Sequence, residues 1–384
     1  METSLLAEWE ATEAVDHHCH PLRRWPFPMS AFELRTVFSE ALDQRVIREH
    51  TPCTAAYRAA LRRLGDELGC SPVEEAILEL RAGQDPATYA NLLLGRSRTG
   101  MMLLDHGFGG EDAFTAAEHR AQLRIPQREI IRLESLAERL LLRCEGPGEW
   151  FEAVRSGLRA AVAEGAVAVK TIVAYRSGLR LRRHPADAVT HEFSWLREGA
   201  LRERTPPRLN SEAICHTLVF EAAAACRTLE VPLQVHCGLG DPDEDLALAS
   251  PLGLRELLES PALAGLKVVL LHCYPYQREA AYLCAVYPDV YMDLSLAIPL
   301  AATDGTRAMR EALGLCPWSK LLYATDARRL PEAYFVAATL YREALGAALS
   351  ELVETQVIDW DEAAEAGRRV LAANAVALYA LRAS

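Results

Sequence analysis

Short apolar runs recur along the chain at 13–15, 101–104, 129–133, 167–173, 233–235, 267–271, 290–294 and 321–324, eight in all. Runs of this length between turn residues predict buried strands. Longer stretches with helical spacing separate most of them, such as 218–229, 278–286 and 331–349. Strand-then-helix alternation implies parallel connections and an α/β fold, a (β/α)8 TIM barrel. A doubly wound open sheet is the alternative, but no GxGxxG or GxxxxGK[ST] sequence follows any of the runs. The alternation is interrupted once. Residues 30–98 carry helical periodicity and no strand pattern. The stretch 54–64 stops at Gly65 or Gly69, and Ser71-Pro72-Val73-Glu74-Glu75 has the form of a helix start, with Ser71 as N-cap. This block is expected to be a helical insertion or lid after strand 1, inside a single domain spanning 1–384.

Half of the 384 residues are hydrophobic and 24% are charged, ordinary for a soluble globular protein, and the chain is long enough for one large barrel with additions or for two domains. A net charge of -12 argues against nucleic acid or an anionic membrane as the main partner. A small-molecule substrate and a homo-oligomer fit better. The ten cysteines form no CxxC pair, and Cys226, Cys237, Cys273 and Cys284 lie inside apolar runs. They read as buried thiols of a cytoplasmic protein. The N-terminal segment Met1-Glu2-Thr3-Ser4-Leu5-Leu6-Ala7-Glu8 lacks the form of a signal peptide, and no run reaches the roughly 20 apolar residues of a membrane span.

Chemistry-bearing residues collect where the predicted strands end. Val15-Asp16-His17-His18-Cys19-His20-Pro21 places His18 and His20 two apart. On a strand, such residues share a face and can reach one ion, while His17 points away. Strand 4 carries Lys170, strand 5 ends at His236, strand 6 at His272 and strand 8 at Asp326. Singly, each histidine suits a core or loop, and Asp326 suits a helix cap. A lysine inside an apolar strand needs a partner. Together, imidazole nitrogens and a carboxylate at the C-terminal ends of barrel strands suit Zn²⁺ or a similar divalent ion. Arg176 and Tyr175, after strand 4, are candidates for binding substrate. The arginine fork matches a carboxylate, although a solvated arginine fits as well. His106, after strand 2, is a further candidate for lining the site. His50, His119, His184, His191 and His216 are assigned structural or surface roles.

The order HxH, Lys, His, His, Asp resembles the amidohydrolase superfamily. The resemblance narrows to its amidohydrolase-2 or FluG-like branch, related to the amidohydrolase half of nodulin/glutamine-synthetase fusion proteins. It rests on 15–21, on Val169-Lys170-Thr171-Ile172-Val173-Ala174-Tyr175-Arg176, on Gln234-Val235-His236-Cys237-Gly238-Leu239-Gly240-Asp241 and on Leu271-His272-Cys273-Tyr274-Pro275. Leu322-Tyr323-Ala324-Thr325-Asp326 and Asn374-Ala375-Val376-Ala377-Leu378-Tyr379 complete it. Cys237 stands where the branch often has threonine, Thr325 where it often has serine, and His106 where a smaller polar residue is expected. These departures bear on substrate, not on the ligands.

The resemblance implies a metal-activated water, since a bound ion lowers the pKa of water from 15.7 to about 7. Asp326 would take its proton and pass it to the leaving group, and His272 or the ion would polarise a carbonyl. His18, His20 and His236 would hold the ion. If Lys170 is carbamylated it bridges two metals, with His272 a ligand; in the one-metal form His272 is catalytic and Lys170 touches substrate. Three function classes follow: hydrolysis of an amide such as a γ-glutamyl or N-acyl amino-acid amide, non-oxidative decarboxylation, and a non-catalytic binding barrel, against which the intact ligand set argues.

Overall fold

The computed structural model describes residues 5–9, 11–25, 29–108, 110–301 and 304–381. Met1–Ser4 of the N-terminal segment lie outside them. Among the described residues seven strands form: β1 Ala14–Cys19, β2 Thr99–Asp105, β3 Gln127–Arg132, β4 Ala168–Thr171, β5 Leu233–Cys237, β6 Val268–His272 and β7 Val290–Met292. Each overlaps one of the predicted runs. Contacts divide the chain into two compact units, Met1–Arg128 with Asp293–Ser384, and Glu129–Met292.

In the first unit β1 and β2 pair in parallel, Val15 opposite Met101 and Cys19 opposite Leu104, with register shifts on both sides of Val15-Asp16. Every residue of β1 is buried, including its three polar ones. The helices Ala31–Thr36, Ala55–Leu68, Glu74–Ala82 and Pro86–Arg96 fill the expected insertion. Leu34, Phe38, Tyr57, Leu61, Leu64, Ile77, Tyr89 and Leu93 form one core with Phe335 and Val336 of the long helix Pro331–Glu354. At roughly 1.5–3 kcal/mol for each large apolar side chain buried, this packing holds the block firmly to that helix. The buried Glu332 receives the Arg81 guanidinium at 2.8 Å.

Two local expectations need correction. The helix expected from Ser71 starts at Glu74 and has no side-chain cap. The Ser71 carbonyl is taken by the Val73 N–H in a tight turn, so Ser71 cannot serve as the N-cap. The eighth predicted strand, 321–324, forms an isolated bridge at Leu321 and no ladder strand. Its backbone is satisfied otherwise: Tyr323 N–H donates to Val370 O, Tyr323 O accepts from His17 N–H, and Thr325 N–H donates to the Asp16 carboxylate. The helix expected at 54–64 runs Ala55–Leu68, capped by the Thr54 side chain and closed by Gly69 at φ +67°.

In the second unit β3 to β7 pair in chain order, all in parallel. Lys170 stands opposite Gln234, and Cys237 opposite His272. The strands β4, β5 and β6 are buried throughout, as near-continuous apolar runs of a parallel sheet should be. Helices Pro147–Ala163, Glu212–Leu229 and Gln277–Val286 alternate with them. Among the described residues no helix is long and apolar enough to cross a membrane.

Candidate metal centre

The first unit brings His18, His20 and Asp326 together. Asp326 Oδ1 lies 3.3 Å from His18 Nε2 and 3.1 Å from His20 Nε2. All three residues are buried. The two imidazoles meet edge to face, with centroids 5.1 Å apart. A tetrahedral ion with bonds of about 2.0–2.2 Å separates its ligand atoms by roughly 3.4 Å, close to both spacings. Two imidazole nitrogens and a carboxylate oxygen are therefore placed to hold one divalent cation.

Neighbouring groups fix each ligand. His20 Nδ1 lies 3.0 Å from the Asp105 carbonyl at the end of β2, which calls for the proton on Nδ1 and leaves the Nε2 lone pair facing Asp326. The Tyr334 hydroxyl, from the long helix, donates to the His20 carbonyl, and the Phe108 ring packs 5.0 Å from the imidazole. Asp326 takes φ +51°, a left-handed conformation that Asp tolerates, and its N–H donates to the His18 carbonyl at 3.0 Å. One residue earlier, Thr325 donates to Asp16 from both its N–H and its hydroxyl. Burial raises the Asp16 carboxyl to about 7, against the opposing pull of these Thr325 bonds. Thr325, expected to line the pocket, thus ties the 321–326 segment to β1.

His17 points away from this group, as expected. Its Nε2 lies 2.9 Å from Asp293 Oδ2 and its Nδ1 3.0 Å from the Tyr379 hydroxyl. Ser295 in turn donates to Asp293 Oδ1 from both its N–H and its hydroxyl. His106 follows β2 in the short turn His106–Phe108 and packs against His119, with centroids 6.0 Å apart.

The second unit brings Tyr175, His236 and His272 together. The His236 ring lies 4.6 Å from each of the other two, centroid to centroid. His236 Nε2 is 3.1 Å from Glu244 Oε2, and both side chains are buried. Lys170 is 3% exposed on β4. Just beyond it, the Thr171 hydroxyl and the Ile172 N–H donate to the buried Glu134 carboxylate, which fixes the end of that strand. Arg176 places its guanidinium 3.1 Å from Glu138. At the end of β6, His272 and Cys273 have φ of +67° and +59°. The strand bends sharply there, and the Cys273 N–H reaches the Cys237 carbonyl.

Sequence reasoning missed Glu244, Asp16, Asp105, Asp293 and Tyr379. The signal for Glu244 is glycine spacing. A Cβ on Gly240 would lie 2.0 Å from Tyr175 Oη and 2.6 Å from Glu244 Oε2, so a side chain there would displace both groups. A second group, His184, Glu212 and His216, also has metal-ligand spacing. Its Glu212 is ion-paired with Arg182, and none of the three residues ends a strand.

The amidohydrolase family model matches residues 15–381. Protein fluG of Emericella nidulans is 28% identical over 401 residues, covering 96% of this chain, which spans 45% of that protein's length. A protein from Lactobacillus casei ATCC 334 assigned as a metal-dependent hydrolase superposes with TM-score 0.89 at 30% identity, covering 99% of both chains. A uronate isomerase of Bacillus halodurans C-125 shares the fold at TM-score 0.71 and 12% identity, covering 98% of this chain and 96% of its own. These matches give the α/β fold of the TIM-barrel hydrolases, and the chain belongs to the amidohydrolase superfamily, in its FluG-like branch.

Proposed function

We propose that the protein hydrolyses an amide C–N bond in a small carboxylate-bearing substrate, such as a γ-glutamyl or N-acyl amino-acid amide, with the help of a divalent ion. The observation that carries this reading is the convergence of His18 Nε2, His20 Nε2 and Asp326 Oδ1 in a buried group with the spacing of a cation site. Zn²⁺ suits two imidazoles and a carboxylate. The ion would supply a nucleophilic water near neutral pH.

The chain's own residues do the rest. His18 and His20 orient the ion, and the buried Asp326 carboxylate takes a proton from water and returns it to the departing nitrogen. In the second unit the reading gives His236 the role of ligand and His272 that of ligand or carbonyl polariser. Lys170 is the site of a carbamate when two ions bind. Tyr175, His106 and Arg176 bind substrate, with Arg176 oriented by Glu138.

Elemental analysis of the purified protein, paired with chelation and a panel of γ-glutamyl and N-acyl amino-acid amides, tests this. At least one ion per chain and chelator-sensitive release of free amine are expected. Full activity without metal, or carbon dioxide as the only product across a panel that includes aromatic acids, would overturn it.

A further inference from the structure

We infer that Glu244 is a positioning residue that holds His236 in the Nε2–H tautomer, leaving Nδ1 as the nitrogen that binds metal. This rests on the proposed reading of His236 as a ligand. The geometry is direct: Glu244 Oε2 is 3.1 Å from His236 Nε2, with side chains 2% and 3% exposed. In this contact the carboxylate oxygen is the acceptor and the imidazole N–H the donor. A neutral imidazole carries one proton, and the hydrogen bond to Glu244 fixes it on Nε2. The lone pair then sits on Nδ1. A carboxylate accepting from a ligand imidazole also raises its basicity and locks the ring's rotation.

The loop after β5 is built around this pair. Gly238 takes φ +74° and a Cβ there would lie 2.3 Å from the Tyr274 carbonyl oxygen. Gly240 clears the space for the Glu244 carboxylate and the Tyr175 hydroxyl. The Asp241 N–H donates to Tyr175 Oη, and the Glu244 N–H donates to the Asp241 carbonyl at 3.1 Å. The Tyr175 ring then packs on His236. Loop, tyrosine and carboxylate thus fix the ring from different directions.

Glu244 Oε1 is buried with no hydrogen-bond partner among the described residues.

The test has a readout that does not depend on turnover. Nitrogen-15 histidine spectra of the metal-free protein, with His236→Gln used to assign the signal, should show His236 protonated on Nε2. In Glu244→Leu the proton is no longer fixed on Nε2, and the Nδ1–H form should become populated beside it. Metal affinity, measured by competition with a chromophoric chelator using Zn²⁺, should fall about 10–100-fold in that variant while metal-free thermal stability changes little. Glu244→Gln keeps an acceptor oxygen without the charge, and should lie between Leu and wild type; it carries the affinity test if the leucine variant does not fold. An Nδ1–H tautomer in wild type, or wild-type affinity in both variants, would overturn the inference. Failure of the wild type to bind any metal would overturn the proposed function instead, and the tautomer would still decide the pairing.

Discussion

A carboxylate oxygen 3.1–3.3 Å from two buried imidazole nitrogens has two uses, to hold a cation and to move a proton, and Asp326→Asn separates them. The amide keeps an oxygen for the ion but cannot accept a proton from water. Turnover of the best amide substrate should fall about 10²–10⁴-fold while most of the metal is retained, as steady-state rates with metal analysis would show. His119 bears on acid stability. It is fully buried against Gln127, and burial lowers its pKa to about 4, from 6.5 in the unfolded chain. Between those values the unfolded chain binds a proton that the folded one does not. His119 therefore costs nothing above pH 6.5 and removes stability as pH falls from 6.5 toward 4. In His119→Gln the loss between pH 7 and pH 5 should be smaller than in wild type by denaturant titration; equal losses would refute it. That His18 and His20 share a face was legible in the sequence because period two on a strand is a rigid rule. The carboxylates behind them were not. Asp16 and Asp293 lie on or just after strands with no spacing code, and Asp105 acts through its backbone carbonyl, which every residue has.

The end of β5 shows why some elements resist reading. The run 233–235 announces a strand, and His236 marks its useful end. Glu244 lies within Asp241-Pro242-Asp243-Glu244-Asp245, which reads as a solvated acidic loop. Only Gly238 and Gly240 hint that the loop folds back tightly. Gly238→Ala should therefore be costly: left-handed strain adds to a backbone clash at 2.3 Å, together roughly 2–5 kcal/mol. Chemical denaturation should show the loss, and substitution of the half-buried Gly146, where a Cβ would meet nothing, should not. The eighth strand failed as a ladder for a related reason. Its apolar run is genuine, but Thr325 gives its N–H to the Asp16 side chain and Tyr323 gives its own to Val370. Local apolarity does not report where a backbone donor goes.

For the whole molecule, the alternation of apolar runs with helical stretches was enough to reach the α/β class, because parallel strands buried on both faces have little freedom in composition. The division into units at Glu129 and Asp293 has no such signal, since the same alternation continues across both positions with no linker-like stretch. The cation site joins two distant parts of the sequence, β1 and Asp326, within the first unit. An ion that binds the folded chain there and not the unfolded one adds RT ln(1 + [L]/Kd) to stability, about 2.7 kcal/mol at a hundredfold excess over Kd. Without the ion, Asp326 and the two imidazoles stay buried at 3.1–3.3 Å from one another, so the gain should be clear against the metal-free baseline. The metal-loaded protein should unfold a few degrees above the chelated one, the shift rising with the logarithm of free Zn²⁺. His20→Ala removes one of three ligands without touching the Asp16–Thr325 tie and should abolish that dependence while still folding. Calorimetry across a Zn²⁺ series decides it. If His20→Ala gains as much stability from Zn²⁺ as wild type does, the ion that stabilises the protein binds elsewhere, and His18, His20 and Asp326 are not its centre.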